Sequence, residues 1–377
     1  MNFEEHAAKP LLAAAGIAVP AGRLATTPEA AAEAAAAIGA VVVKAQVPIG
    51  KRGKAGGIRL AKDPEETRQA AEAILGMSIG AHTVERLLIE AQASIATEFY
   101  AAVLNDPGSK GPLVMFSSVG GMDIEEIAAE RPDALRRHAV DVRGGFSLDD
   151  ARSMLKGLDL GAHEGQIATT LEALYRAYAE NDAELLEINP LALLDDGRIV
   201  ALDCKLVLDD SSIKRQTELS QRGTPERLSD LEAKGQSLGL KYIDLDGEIG
   251  VLANGAGLTM TTMDVITHHG GRPANFLEIG GDAYTKATPA LELVLSNPNV
   301  KSLVVNFCGA FARTDVMTEG VIDALETLEP AVPVFFSVHG TGAAEARVML
   351  RERLGIAPYP DMDAAIVAAI EAAGGPA

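Results

Sequence analysis

Several things are missing from this sequence, and each absence removes a class of function. Its two cysteines, Cys204 and Cys308, are far apart and belong to no CxxC or His/Cys spacing, which excludes a disulfide framework and a structural zinc site and predicts two reduced core thiols. Positive charge is scarce, 33 Lys and Arg against 53 Asp and Glu for a net charge of −20. An extended nucleic-acid or anionic-membrane surface needs clustered positive charge, so any phosphate site must be local. No uninterrupted apolar run approaches a membrane span, and the opening MNFEEHAAK has neither a basic nor an apolar leader region, so a cytoplasmic location is expected. Short-period repeats are absent, as is low complexity beyond the final AAGGPA.

What is present is a 377-residue chain with 47% hydrophobic residues, enough for two or three domains with cores of their own. Short apolar runs alternate with helices over residues 10–100, including Thr27-Pro28-Glu29, a cap followed by proline at the first helical position. Further helices are predicted near 64–75, 123–139, 147–157 and 165–180. The charged stretch 210–237 reads as a surface arm or interdomain connection. From EIGVLAN onward the pattern becomes regular, with strands EIGVLAN, ANFLEIG, KSLVVNF and VPVFFSV each followed by a helix, from about 258, 288, 315 and 343. Apolar, β-branched strands in such alternation predict a helix-covered parallel sheet, with binding loops at the strands' carboxyl ends. Those loops are Asn254-Gly255-Ala256-Gly257, Gly280-Gly281-Asp282, Cys308-Gly309-Ala310-Phe311 and His339-Gly340-Thr341-Gly342.

Residues 184–206, ELLEINPLALLDDGRIVALDCKL, read as a β-hairpin around the turn triplet Asp195-Asp196-Gly197, with glycine where a three-residue loop needs positive φ. Such a loop pairs Leu194 with Arg198, and counting outward sets Asn189 opposite Asp203, with Glu187 two residues along the same face. An amide oxygen and one carboxylate suit Mg²⁺, which leaves its other positions to water and phosphate oxygens; a solvent-facing hairpin with scattered polar residues is the alternative. Pro190 cannot donate to a ladder, so an edge strand or a bulge is expected beside it.

The second chemical motif is VVVKAQVPIGKRGKAGGIRL, residues 41–60, in which a strand carrying Lys44 runs into a loop with Gly50, Gly53, Gly56 and Gly57 interleaved with Lys51, Arg52 and Lys54. Glycines let backbone N–H groups approach an anion that the basic side chains neutralise, so the loop is a candidate polyphosphate clamp, or else a flexible basic hairpin tip. It is neither a Walker A loop nor a helix-opening GxGxxG. Paired with the acidic hairpin it suggests a nucleotide–Mg²⁺ site, which needs both a cation holder and a phosphate clamp.

The opening NFEEHAAKPLLAAAGIAVPAG, the loop KAQVPIGKRGKAGG, the segment LLIEAQASIATEFY, the hairpin LEINPL with LDCKL, and NGAGLTMTTMD with PANFLEIGG resemble, in order and spacing, the β subunits of succinyl-CoA synthetase and its close relative malate–CoA ligase. The similarity spans nearly the whole chain. It implies an N-terminal ATP-grasp module over 1–238 and a flavodoxin-like CoA-ligase domain over 239–377 that carries the substrate and α-subunit interface. It also implies an ADP-forming acid–CoA ligase using ATP as substrate and Mg²⁺ as cofactor, paired as αβ or α2β2 with a CoA-binding α subunit whose histidine is phosphorylated. On this resemblance Lys44 and the Lys51-Arg52-Gly53 turn meet nucleotide phosphates, and Glu90, Ala93 and Glu98 surround the adenosine part. Asn189 and Asp203 match the Mg²⁺ positions, and Glu187 matches a catalytic carboxylate beside the incoming phosphohistidine. None of the chain's seven histidines is expected to be the phosphorylated one.

Asn254 matches a substrate-binding asparagine of the family, and Ala310, Phe311 and Ala312 stand where relatives usually have glycine and Ile in the next pocket loop. Ala310 and Phe311 are expected to narrow that pocket beside Asn254. Where relatives often read Arg-Leu-Glu-Gly-Thr/Asn-Asn, this chain has Ser337-Val338-His339-Gly340-Thr341-Gly342, which changes charge and hydrogen-bond geometry together. These departures point away from succinate toward a smaller or hydroxylated acid such as malate, with drift at the subunit interface as the alternative. A related subunit acting on citrate or acetate, or a non-catalytic nucleotide-binding regulatory subunit, are the competing readings; the intact Glu187, Asn189 and Asp203 argue against the last.

Overall fold

The computed structural model describes residues 1–225, 228–280 and 283–375, in two compact units, Met1–Glu226 and Arg227–Ala377. The first unit contains two antiparallel sheets. In the smaller the strand order is Gly22–Ala25, Leu87–Ala91, Val41–Ala45, Ile58–Ala61. Its apolar face, with Val41, Val43 and Ile89 fully buried, packs with the alanine-rich sides of helices Pro28–Ile38 and Pro64–Ile74. Each helix begins with proline behind a capping side chain: Thr27 accepts from the Ala30 amide, and Asp63 from those of Glu65 and Glu66.

The larger sheet is built on the twelve-residue strand Ala183–Leu194. On one side of it lies Ile95–Asp106, then Gly111–Ser117 and Leu135–Ala139; on the other lie Ile199–Ala201 and Lys205–Leu208. Leu186, Ile188 and Leu191 face a core shared with helix Glu164–Glu180. That helix buries Ile167, Leu171, Leu174 and Tyr178 at the three-to-four-residue spacing of a single helical face.

The hairpin has the expected loop. The Leu194 amide donates to the Arg198 carbonyl at 2.9 Å, and Gly197 has φ +84°. Leu191 pairs with Ala201 and Glu187 with Lys205, the same register on both sides of the gap, which sets Asn189 opposite Asp203. Between them the ladder opens, because residues 202–204 leave the strand. The Asn189-Pro190 peptide is cis, and the pairing with Ile95–Asp106 shifts between Ile188 and Leu191. Pro190 therefore sits at a bulge inside the sheet, not on an edge strand.

One expected helix is corrected. Over 123–139 the helix runs only from Ile124 to Glu130, followed by a short 3-10 turn and the strand Leu135–Ala139. Pro132 explains the break, since the residue before a proline avoids the α region, and Arg131 lies at φ −135°, ψ 57°.

In the second unit, strands Ile249–Ala253, Ser302–Gly309 and Val334–Gly340 form a parallel sheet in that order. The fourth expected strand is present as Asn275–Leu277, beside Ile249–Ala253. There the Asn275 side chain takes the ladder's place, accepting from the Val251 amide at 3.0 Å and donating to its carbonyl at 2.9 Å. The expected helices are found at Ala256–His268, Ala283–Leu295, Thr314–Leu328 and Ala343–Leu354, with Met362–Ala372 added. Gly281 and Asp282 of the second binding loop lie outside the described residues. Within 210–237, helix Asp230–Ser237 is closed by a Ser229–Glu232 capping box. It packs on Tyr242, leaving no room for a Cβ on Gly235, and so groups with the second unit.

Leu171 is fully buried between helix and sheet. Leu171→Ala is expected to destabilise the first unit by about 2–5 kcal/mol, measured as lost hydrogen-exchange protection of helix Glu164–Glu180; an unchanged protection pattern contradicts this packing.

Candidate functional site

A cleft of about 530 Å³ opens in the first unit. Its walls are the loop 47–54 with Lys51, Arg52, Gly53 and Lys54, the segment 121–125, and Glu98, Glu187, Asn189, Asp203 and Lys205. Two glycines shape it. A Cβ on Gly120 would lie 2.3 Å from the Phe99 carbonyl oxygen, and one on Gly121, at φ +75°, 2.1 Å from a Glu98 carboxylate oxygen. The loop after Gly111–Ser117 thus lies directly on the neighbouring strand, as only glycine allows. From there the Gly121 amide donates to Asn189 Oδ1 at 2.9 Å, and Asn189 Nδ2 donates to the Met122 carbonyl at 3.0 Å.

Behind the cleft, and reaching its wall at Arg52 and Asp203, is a cluster of three acids and three bases, buried except at Asp203. Glu5 accepts a hydrogen bond from Lys44 at 2.9 Å and forms ion pairs with Lys9 at 2.7 Å and with Arg52 at 2.7 Å. Glu90 is held by Lys9 and by Lys44 at 2.6 Å. Arg52 reaches Asp203 Oδ1 at 2.6 Å. The Leu202 carbonyl, freed where the hairpin ladder opens, accepts from Lys9 at 2.9 Å and Lys44 at 2.6 Å. Buried charges persist only when paired, and here the formal charges balance. Burial alone would raise the Glu5 carboxyl, but Lys44, Lys9 and Arg52 outweigh it and hold Glu5 well below the usual carboxylate range. The opposing carboxylates likewise raise Lys44 and Arg52 against the effect of burial.

The expected site residues therefore separate into two layers. Lys51, Arg52, Gly53, Glu98, Glu187, Asn189 and Asp203 line the cleft. Lys44 and Glu90 are buried behind it, and all three ammonium donors of Lys44 are taken, by Glu5, Glu90 and Leu202. Ala93 packs on a small apolar cluster of Ala192, Leu194 and Val200. Glu5 and Lys9 were not foreseen; their only signal is the i,i+4 pair in EEHAAK, and their partners lie 39 to 193 residues away.

Glu187 takes a hydrogen bond from the Tyr100 hydroxyl at 2.9 Å. Burial pushes its carboxyl above the ordinary value of 4.5, against the pull of Tyr100 and Lys205. The donor set opposite suits a small hard cation. Asp203 is one-third exposed; Arg52 and the Cys204 amide use its Oδ1, leaving Oδ2 with no hydrogen-bond partner among the described residues. Among the described residues no three His, Cys, Asp or Glu side chains converge as a metal cage, so a cation here would draw on Asn189, Asp203 and ligand oxygens, the habit of Mg²⁺.

In the second unit Asn254 is braced across the carboxyl edge of the sheet, accepting from the Cys308 amide at 2.8 Å and donating to its carbonyl at 3.0 Å. Ala310 and Ala312 flank a fully exposed Phe311, at 105% of its reference area. The ring extends into solvent and does not pack beside Asn254, so the expected narrowing of a pocket is not found within this unit. Cys204 is buried and Cys308 exposed, both free.

Comparison with known proteins agrees with this architecture. The ATP-grasp domain family matches residues 2–193 and the CoA-ligase family residues 252–361. An ATP-grasp domain followed by a CoA-ligase domain defines the class, a subunit of an acid–thiol ligase. The chain is 43% identical to the β subunit of a GDP-forming succinate–CoA ligase of Thermus thermophilus over 100% of both chains. It is also 43% identical to the β subunit of an ADP-forming succinate–CoA ligase of Chloroflexus aurantiacus, over 93% of this chain and 94% of that one. A solved ATP citrate lyase from Methanothrix soehngenii superposes with a TM-score of 0.72 at 25% identity, covering 98% of this chain and 99% of that one. The chain belongs to the succinate–CoA ligase β-subunit family. No helix among the described residues is long and apolar enough to cross a membrane.

Because Glu187 titrates above its unfolded value, its proton stabilises the fold below about pH 4.5, and that contribution is lost as pH rises. Glu187→Gln keeps an acceptor for Tyr100 and removes the buried charge. Its melting temperature is expected to exceed wild type at pH 8 and to match it near pH 4; equal melting at both pH values would contradict the desolvation of Glu187.

Proposed function

We propose that the cleft binds Mg·ATP and that the chain works with a CoA-binding α subunit, as αβ or α2β2, in an ADP-forming ligation: ATP, a four-carbon dicarboxylic acid such as succinate or malate, and CoA give ADP, phosphate and acyl-CoA. The phosphoryl group would pass through a histidine of the α subunit to the acid, and CoA would displace it from the acyl phosphate. The observation carrying this reading is the convergence in one cleft of a glycine-rich basic loop with Glu187, Asn189 and Asp203.

Phosphoryl transfer depends on positioning and charge neutralisation, and the residues divide that work. Lys51 and Lys54 are exposed and share Asp123 at 3.6 and 2.8 Å, weak surface pairs that an incoming polyphosphate can replace. Arg52 offers a planar guanidinium from the cleft floor. Lys44, with no spare donor, fixes that floor. Asn189 and Asp203 would hold Mg²⁺, which neutralises phosphate charge when bound. Glu187, half-buried beside Tyr100, would accept a hydrogen bond from an incoming imidazole, orienting the ring and favouring its charged form.

Asp203→Ala removes the proposed carboxylate ligand. Transfer of label from γ-³²P-ATP to the α subunit is expected to fall at least about 10²-fold, the scale of losing one charged transition-state contact, with the αβ complex still recovered by gel filtration. Near wild-type labelling would take the hairpin out of the mechanism.

The acid is tested with the reconstituted complex and a panel of succinate, malate, citrate and acetate. One or both four-carbon dicarboxylates should exceed citrate and acetate in kcat/KM by about tenfold or more. A higher value for citrate or acetate would move the chain to a different acid.

A further inference from the structure

Glu5 is the one residue that touches all three bases of the buried cluster, and it also reaches the cleft wall. A single carboxylate within 3 Å of two ammoniums and a guanidinium is the environment that these cations would offer a phosphate oxygen. Its own residue is 2% exposed, so the contact is built in. The surroundings are charge-balanced as they stand: Glu5, Glu90 and Asp203 against Lys9, Lys44 and Arg52. Of the three bases, Arg52 alone lines the cleft, and it is held from inside by Glu5 and from outside by Asp203.

We propose that Glu5 is a positioning residue of the nucleotide site, an internal anion that occupies the place of a phosphate oxygen on Arg52 and competes with the incoming polyphosphate for it. This rests on reading the cleft as a nucleotide site. In the nucleotide-free chain Glu5 holds Arg52 against the cluster and keeps three buried cations neutralised. When a polyphosphate enters, Arg52 exchanges the Glu5 oxygen for a phosphate oxygen, while Lys9 and Lys44 keep Glu5 in place. Affinity for the polyphosphate is thereby lowered in return for a preformed, stable floor, the usual relation between an internal competitor and apparent affinity.

Glu5→Gln keeps the shape and deletes the charge, leaving three cations with two carboxylates. The free variant should melt below wild type. Pyrophosphate without Mg²⁺ should raise its melting temperature more than it raises that of wild type, and should bind at least threefold more tightly by calorimetry. Glu5→Asp retains the charge on a shorter stem and should fall between the two; it carries the test if the Gln variant does not fold, tighter binding than wild type supporting the assignment. Pyrophosphate affinity equal to or weaker than wild type, in Glu5→Gln or, failing that, in Glu5→Asp, overturns it. The cleft reading fails separately. It falls if the wild-type αβ complex transfers no phosphoryl group from ATP, whereas an active wild type whose Glu5 variants bind pyrophosphate no more tightly discards Glu5 alone.

Discussion

The first unit is organised around a cluster, buried except at Asp203, in which three carboxylates and three cations neutralise one another. Charges taken from water are tolerated only as a complete set: removing one partner from a buried pair typically costs about 3–5 kcal/mol, because the other is left uncompensated. The set is drawn from the helix Glu5–Ala14, two strands of the small sheet, the glycine-rich loop and the gap in the hairpin. Each of these segments is held in position by the others. The hairpin gap itself follows from the cluster, since the Leu202 carbonyl that leaves the ladder is the one both ammoniums require.

That break gives the cleft its chemistry. The Leu202 amide still donates to the Pro190 carbonyl at 3.1 Å; a continuous ladder would also pair residues 203 and 204 with strand Ala183–Leu194 and bury the backbone at Asp203. With the ladder open, Asp203 is shared between Arg52 and the cleft, and Asn189 is steadied from the Gly121 loop. Burial beside Tyr100 disfavours ionisation of the Glu187 carboxyl. Two acidic groups on one hairpin thus differ in environment, one exposed and ion-paired, the other desolvated.

In the second unit the loops at the carboxyl edge of the sheet are tied together by hydrogen bonds. Asn254 clamps Cys308; the Thr314 hydroxyl and amide donate to the His339 and Thr341 carbonyls at 2.7 and 2.8 Å; the Thr341 amide donates to Gly309 at 3.0 Å. A Cβ on Gly340, at φ +83°, would fall 2.0 Å from the Gly309 carbonyl oxygen, so the two loops interlock. The Ala310–Ala312 loop, carrying Phe311 outward, therefore rises from a stiff base.

Local patterns were enough for much of the architecture. Apolar, β-branched runs alternating with helical stretches marked the four strands and following helices of the second unit, and the Asp195-Asp196-Gly197 turn with simple counting paired Asn189 with Asp203. Even the failure at 123–139 was local, since Pro132 marked the end of the helix. Resemblance to a known family supplied the roles of Lys44 and Glu90, but it could not show that every donor of Lys44 is already engaged. Periodicity reports which face of an element is buried and is silent about what it is buried against. The sequence by itself determined most of the elements, the hairpin register and the oxygen-bearing side chains that gather at one cleft. Only the tertiary structure decided which charges neutralise one another, because Glu5, Lys44, Arg52, Glu90 and Asp203 meet across separations that no local rule spans, and burial makes those meetings obligatory.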